Sequence, residues 1–285
     1  YWFRHVWEYW WPLYPGVILT LGMTDLEIWQ LIPAQLPVSA LAIAGGYLFL
    51  LRRIPRNGEP EKAPTGDGRS FFALVAPIIT VIFTYAAILI VFPAIANVSR
   101  YIPITAGLFL ALFVLQIQRR PGWSGWREVL LSRRTLYMTV LVAVIRIYGA
   151  MIEARLPGGM LLVDQMRGEL AAFGLPEGLF ILLIPLIAGL AVGINVGTIG
   201  ASLPVVMSLL GPSPPLIALL PTTVLAYAAG FMGQMLSPVH VCLVVSNQYF
   251  KTPLLRSLGG LILPVLLVLL GTYAYSLLLP LLMAG

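Results

Sequence analysis

The chain has 285 residues, of which 59% are hydrophobic and only 10% are charged. A soluble globular domain carries about a quarter charged residues, so the composition excludes that class and predicts an all-α polytopic membrane protein. The net charge of +6 does not indicate nucleic acid binding, because the basic residues cluster in loops between apolar segments.

Apolar segments long enough to cross a bilayer recur along the whole chain. A transmembrane helix needs roughly 20 apolar residues. The candidates are residues 5–22, 31–51, 71–93, 102–118, 135–153, 178–210, 215–249 and 258–279. The segments 178–210 and 215–249 are each interrupted by glycine, proline and polar residues. Because backbone groups in hydrocarbon must be satisfied internally, such interruptions are tolerated only against protein or a watery cavity.

The basic loops predict the orientation. Loops 52–70 and 119–134 each hold five Lys or Arg residues, whereas loop 23–30 holds none. An excess of Lys and Arg is typical of cytoplasmic loops, so these two loops are predicted to lie in the cytoplasm. By alternation, loop 154–177 is external, while loop 250–257 carries Lys251 and Arg256 and is cytoplasmic.

This orientation requires an odd number of crossings between residues 178 and 249. A re-entrant hairpin over 178–210 followed by one discontinuous helix over 215–249 satisfies the requirement, and three full crossings satisfy it equally. We favour the hairpin, because the polar turn over 195–198 would otherwise face a loop, where its glycine spacing and asparagine serve no purpose.

The interruption at 193–204 supplies neutral polar groups and close backbone approach at membrane depth. Unwound carbonyls there can coordinate a cation, and helix N-termini attract carboxylates. The alternative is helix packing through small residues, with hydroxyls bonded to their own backbone. The candidate binding residues are Asn195, Gly197, Thr198, Gly200 and Ser202.

The interruption that begins at Gly230 contains a Ser237-Pro238 step and His240. Ser237 is predicted to cap the second half-helix, with Pro238 at its first position and His240 in its first turn. This arrangement would form an anion site, or His240 could carry a proton. The alternative is a structural histidine.

The chain has a single cysteine, Cys242. One cysteine excludes an intramolecular disulfide and a metal cluster built on cysteines.

The first segment and residue 146 supply further candidates for ion coupling. Arg4 and Glu8 are spaced i,i+4 and can pair on one helix face, with His5 beside them. The step at residues 14–16 resembles another helix break, although an interfacial aromatic belt is the alternative. Arg146 lies within span 135–153 and is the remaining candidate, with snorkelling or pairing to Glu153 as the alternatives.

Two long motifs carry a family resemblance that extends over the whole chain. They are YWFRHVWEYWWPLYPG at residues 1–16 and GQMLSPVHVCLVVSNQYF at residues 233–250. They resemble the integral membrane family called domain of unknown function 401, which belongs to the ion transporter superfamily of citrate, dicarboxylate and gluconate-type carriers. Family members are longer, so the resemblance implies that the first spans are missing from this chain.

The resemblance implies two inverted repeats, each with a re-entrant hairpin and a broken helix. Residues 1–51 would be the end of the first repeat, and 52–70 a cytoplasmic loop. Residues 71–285 would hold the remaining scaffold and the second repeat. Studied relatives carry Ser-Asn-Thr hairpin tips for sodium and carboxylate, and residues 194–198 of this chain depart from that pattern. Proton coupling is therefore at least as well supported as sodium coupling.

The predicted function is secondary active transport of a small organic anion, a carboxylate, coupled to protons or sodium, in the inner (plasma) membrane of a prokaryote. The alternatives are a passive channel or facilitator and an intramembrane hydrolase that uses Ser237 and His240. We predict that the protein is not an enzyme, since no G-x-S-x-G or H-E-x-x-H motif is present. No cofactor or resident metal and no nucleic acid partner is expected, and a homodimer is left open.

Overall fold

The structure is a computed structural model that describes residues 1–54, 68–92, 94, 101–133, 176–211 and 213–284, with isolated residues between 135 and 174. The chain divides into two compact units. The larger contains Tyr1–Arg56 and Met138–Gly285, and the smaller contains Asn57–Tyr137.

All regular secondary structure in the described residues is helical, which confirms the all-α prediction. A 3-10 helix, Trp2–Tyr9, comes first, and a one-turn 3-10 helix, Leu51–Arg53, follows α2. The α-helices are α1 (Pro15–Met23), α2 (Ile28–Phe49), α3 (Gly68–Val91), α4 (Tyr101–Arg119), α5 (Trp123–Leu130), α6 (Glu177–Val192), α7 (Asn195–Leu210), α8 (Leu216–Met235), α9 (Val241–Tyr249) and α10 (Leu254–Ala284).

Four of these helices contain stretches long and apolar enough to cross a membrane: Ile28–Phe49, Ile102–Arg119, Leu216–Met235 and Leu254–Met283. The apolar parts of α3, α6 and α7 are shorter. These lengths support a multi-pass membrane protein, as the composition predicts. The predicted span 135–153, with the candidate Arg146, lies outside the described residues apart from a few isolated positions.

Helix α8 forms the centre of the larger unit and is buried along almost its whole length. It packs against α6, α7, α10 and α2. Its contact with α6 is made through backbones: a Cβ atom on Gly189 would lie 2.0 Å from the carbonyl oxygen of Gly230, and one on Gly233 would lie 2.0 Å from that of Leu186. Small residues of this kind allow helices to approach closely in a membrane.

The smaller unit contains α3, α4 and α5. Helices α3 and α4 pack against each other, and Gly107 of α4 faces the backbone of Val81. A Cβ atom at Gly107 would lie 3.0 Å from the Val81 carbonyl oxygen, so this pair also depends on a small residue at its contact.

Three interruptions divide the helices of the larger unit, at residues 10–14, 193–194 and 236–240. The third begins six residues later than the sequence predicts, because Gly230 and Gly233 lie inside α8 and serve its packing against α6. The second is also shorter than predicted. Gly193 turns the chain with a φ of +65°, and Asn195 already begins α7, so the polar residues 195–198 form a helical turn.

Candidate functional site

The three interruptions lie against one another. A Cβ atom on Gly193 would lie 2.8 Å from Ser237 Oγ and 3.1 Å from the backbone nitrogen of His240, so the second interruption touches the third. A Cβ atom on Gly16 would lie only 1.5 Å from Asn195 Oδ1, so the beginning of α1 contacts the beginning of α7. The N-termini of α1, α7 and α9 therefore meet in one region, which connects the two motifs at opposite ends of the sequence.

His5 and His240 face each other at this junction and are both buried. His5 Nδ1 lies 2.8 Å from the Tyr1 carbonyl oxygen, and His240 Nδ1 lies 2.7 Å from that of Gly193. Because a carbonyl oxygen only accepts hydrogen bonds, each Nδ1 is the donor. The two Nε2 atoms are 3.4 Å apart.

A cysteine, an arginine and a tyrosine surround the histidine pair. The ring of Tyr1 packs 4.9 Å from that of His5 and 5.6 Å from that of His240, centroid to centroid. Arg4 Nη2 donates to Cys242 Sγ at 2.6 Å. The Sγ atom and one ring nitrogen of each histidine lie within 4.8 Å of one another, so these three side chains could hold a metal ion.

Glu8 links the histidine pair to two tyrosines. Its Oε1 lies 3.8 Å from His5 Nε2, its Oε2 accepts a 2.5 Å hydrogen bond from the Tyr14 hydroxyl, and its carbonyl oxygen accepts one of 2.7 Å from Tyr227. The i,i+4 spacing allowed Arg4 and Glu8 to pair, but the described residues show no ion pair between them, and the Glu8 carboxylate lies instead near His5 Nε2. Residues 2–9 form a 3-10 helix, in which side chains at i and i+3 eclipse.

Two buried amides lie near these tyrosines. The Asn195 side chain is 3% exposed, and neither of its amide atoms makes a hydrogen bond of normal geometry with the described residues, although Tyr227 lies nearby. Gln234 is 2% exposed, its Oε1 likewise lacks a partner in the described part, and Tyr14 lies close to it. A buried polar group left unsatisfied costs about 1–3 kcal/mol.

Sequence reasoning did not select Gln234, Tyr14 or Tyr227 as site residues. Gln234 could have been found from its polar amide in the middle of an apolar span, which is expensive there unless it has a purpose. The tyrosines carried no such signal. Tyr227 reaches Glu8 from a position 219 residues away, and only the packed structure brings them together.

The small and hydroxyl residues of α7 serve the helix itself. Thr198 Oγ1 donates to the Ile194 carbonyl at 3.0 Å, and Ser202 Oγ donates to that of Thr198 at 2.7 Å. Both are the backbone bonds that the alternative interpretation expected. Gly197 and Gly200 are buried in the same helix. Of the residues predicted at this interruption, Asn195 is the one whose polar side-chain atoms make no hydrogen bond of normal geometry with the described residues.

Ser237 is not the cap of the helix that follows. Helix α9 begins at Val241, so His240 is its N-cap residue and precedes its first turn. Ser237 Oγ donates to the Leu190 carbonyl at 2.7 Å, and Pro238 is exposed. The Ser237 hydroxyl donates to a carbonyl and not to His240, so Ser237 and His240 do not form a nucleophile–base pair in this structure.

Comparison with known proteins gives a family. No curated protein and no solved structure matches the chain. The family described as "Protein of unknown function (DUF401)" matches residues 1–278, which is nearly the whole chain. The protein therefore belongs to the DUF401 family.

Proposed function

We propose that the protein is a secondary active transporter of a small organic anion, a carboxylate, driven by a proton or sodium gradient. The observation that carries the proposal is the meeting of three interrupted segments around Asn195, a buried amide that makes no hydrogen bond of normal geometry with the described residues. Interrupted helices that meet inside a membrane protein are typical of transporter binding sites.

The chemistry at this junction favours an anion. The N-terminus of a helix carries a partial positive charge and unsatisfied N–H groups. The N-termini of α1 and α7 lie against each other where Gly16 meets Asn195, and that of α9 follows His240. In addition to these backbone N–H groups, the side-chain amide of Asn195 can donate a hydrogen bond to a carboxylate oxygen. A carboxylate bound here would receive side-chain and backbone hydrogen bonds without a cofactor.

A co-transported cation would offset the charge of such a substrate. Glu8 lies in the same region, since Tyr227 contacts both Glu8 and Asn195. Two carboxylates in a site of low dielectric repel each other, and a cation between them removes that cost. Glu8 therefore supports coupling to a cation, with protons and sodium as the two candidates.

Short helices at the junction support a movable element. Helices α6 and α7 have 16 residues each, or about 24 Å at 1.5 Å per residue. This is less than the roughly 30 Å hydrocarbon thickness. We propose that the pair forms a re-entrant hairpin and that it belongs to one of two inverted repeats, as in the ion transporter superfamily. In this proposal, helices α6 to α9 move against the other helices of the larger unit. The movement exposes the binding site alternately to the two sides of the membrane.

Uptake into proteoliposomes tests the proposal. The intact protein would be reconstituted, and radiolabelled mono-, di- and tricarboxylates offered with an inward proton gradient, an inward sodium gradient or neither. We expect one carboxylate to accumulate above its external concentration under one of the gradients. Flux that merely equilibrates under all three conditions would contradict active transport and favour the facilitator.

The variant His240→Ala links this uptake to the junction. Loss of the imidazole removes the contacts that His240 makes with the Gly193 carbonyl and with His5, so we expect coupled uptake to be abolished while the protein remains folded. Ser246→Ala, on the following helix, is the matched control and should transport normally. Uptake at the wild-type rate in His240→Ala would remove His240 from the mechanism.

A further inference from the structure

We propose that His5, His240 and Cys242 form a binding site for Zn²⁺. This inference does not depend on transport. It begins with the hydrogen-bond roles of the histidines. Each Nδ1 donates to a carbonyl oxygen, so each neutral ring presents the lone pair of Nε2. Two lone pairs that face each other at 3.4 Å cannot hydrogen-bond, whereas a cation between them would satisfy both.

The distance between the two nitrogens fits a tetrahedral metal ion. With zinc–nitrogen bonds of about 2.0–2.1 Å, two ligands of a tetrahedron lie about 3.3–3.4 Å apart. The two Nε2 atoms are separated by 3.4 Å without any movement. Cys242 Sγ lies within 4.8 Å of both histidines. With a zinc–sulfur bond of about 2.3 Å, the sulfur would lie about 3.6 Å from each nitrogen. Cys242 Sγ would therefore have to move closer to the two nitrogens by up to about 1 Å.

The groups behind the three side chains are those that usually orient metal ligands. Histidines that bind metals almost always donate their other ring N–H to a carbonyl or a carboxylate, which fixes the ring and the tautomer. Both histidines here do so, through the carbonyls of Tyr1 and Gly193. Arg4 donates to Cys242 Sγ and would orient the sulfur in the same way.

The set of ligands selects the metal. Two imidazoles and one sulfur suit Zn²⁺, which binds nitrogen and sulfur in tetrahedral geometry, whereas Mg²⁺ and Ca²⁺ prefer oxygen. Glu8 Oε1, 3.8 Å from His5 Nε2, is the carboxylate available for the fourth position. A single cysteine excludes a cluster of cysteines, but a mixed site needs only one. The ion would join residues 235 positions apart in the chain.

Metal binding by the intact protein in detergent tests the inference, with a purification tag that contains no histidine. Co²⁺ serves as the spectroscopic probe. We expect one Co²⁺ ion to bind per chain. Its visible absorption bands should have the high intensity of tetrahedral Co²⁺, and a sulfur-to-cobalt charge-transfer band should appear in the near ultraviolet. Both should disappear when Zn²⁺ displaces the cobalt. Octahedral Co²⁺ spectra or the absence of saturable binding would overturn the site.

Substitutions identify the ligands. We expect His5→Gln and His240→Gln to weaken Zn²⁺ binding at least about tenfold, because loss of even an outer partner of a ligand weakens metal binding about 10–100-fold. Cys242→Ser should remove the sulfur-to-cobalt band, and Ser246→Ala should change nothing. Unchanged affinity in both histidine variants would refute the assignment.

X-ray absorption spectroscopy of the zinc-loaded wild-type protein identifies the ligands directly. It therefore tests the site even if a histidine variant fails to fold. We expect two nitrogens at about 2.0–2.1 Å with imidazole scattering and one sulfur at about 2.3 Å. A spectrum that shows oxygen ligands alone, without nitrogen or sulfur, would overturn the site. Failure of zinc binding with normal carboxylate uptake would refute this inference alone, and zinc binding without uptake would refute only the proposed transport.

Discussion

Asn195 is placed where its polarity is costly to the folded protein. Its side chain is buried, and its amide makes no normal hydrogen bond to the described residues. The backbone gives it no room to turn toward α1, since Gly16 lies against its oxygen. A buried unpaired amide lowers stability by about 1–3 kcal/mol, and a bound carboxylate, as proposed above, would complete its hydrogen bonds.

The variant Asn195→Ala should separate binding from stability. Hydrogen bonds to a charged group contribute about 1.5–3 kcal/mol, so we expect carboxylate affinity to fall about 10- to 100-fold. The thermal unfolding temperature should change little, because the amide makes no hydrogen bond of normal geometry with the described residues. Gln248→Ala, an exposed amide on α9, is the control. A large fall in unfolding temperature with unchanged affinity would make Asn195 a structural residue.

The packing of α6 against α8 depends on the absence of side chains at the contact. The Gly189 Cα faces the Gly230 carbonyl so closely that a methyl group could not be placed between them. Neither partner is a flexible side chain, so a larger residue must push one helix away from the other. Since α6 is followed directly by the Gly193 turn, such a shift would reach the junction of the interruptions.

The variant Gly189→Ala should therefore destabilise the protein. Overpacking typically costs about 1–3 kcal/mol, and we expect a lower unfolding temperature in lipid nanodiscs. Gly259→Ala on α10 is the matched control, because a Cβ atom there meets nothing within 4 Å. Its higher helix propensity should leave stability equal or improved by up to about 1 kcal/mol. Equal effects of both substitutions would contradict the close approach of α6 and α8.

The predicted span 5–22 is divided between the first 3-10 helix and the nine-residue α1. Otherwise, periodicity and composition were sufficient to predict the helical class, the four described stretches long and apolar enough to cross a membrane and the presence of interruptions. They did not give the exact boundaries. The sequence suggests that Gly230 and Gly233 break a helix. In the structure they allow α8 to pack closely against α6, which lies some forty residues earlier in the chain. The same limit applies to the site. His240, His5 and Asn195 stand out as polar residues in apolar segments, whereas the tyrosines become recognisable only through contacts between distant parts of the chain.

The distribution of basic residues predicts how the whole molecule is oriented in the membrane. Residues 119–134 carry five arginines, and residues 23–30 carry no basic residue. Ser124 of the first segment and Asp25 of the second are both exposed. Because cytoplasmic loops are rich in Lys and Arg, these two residues are expected on opposite sides of the bilayer.

Labelling of single cysteines tests this orientation. In a Cys242→Ser background, which contains no other cysteine, Asp25→Cys should react with a membrane-impermeant maleimide on intact cells. Ser124→Cys should react only in inverted vesicles or after the cells are opened. The opposite pattern would invert the topology, and labelling of both from one side would contradict the alternation of spans.

The hydrogen bonds of Ser237 and His240 to Leu190 and Gly193 determine how the molecule can move. The last carbonyls of a helix have no partner within that helix. At the end of α6, two carbonyls are satisfied by side chains from the interruption between α8 and α9. Separating the two interruptions would leave both carbonyls without these partners, and the Gly193 carbonyl lies in buried surroundings, where an unpaired group costs about 1–3 kcal/mol. We therefore expect the two interruptions to move as one unit, so that a conformational change carries α6, the beginning of α7 and the α8–α9 connection together and slides at another surface of the larger unit.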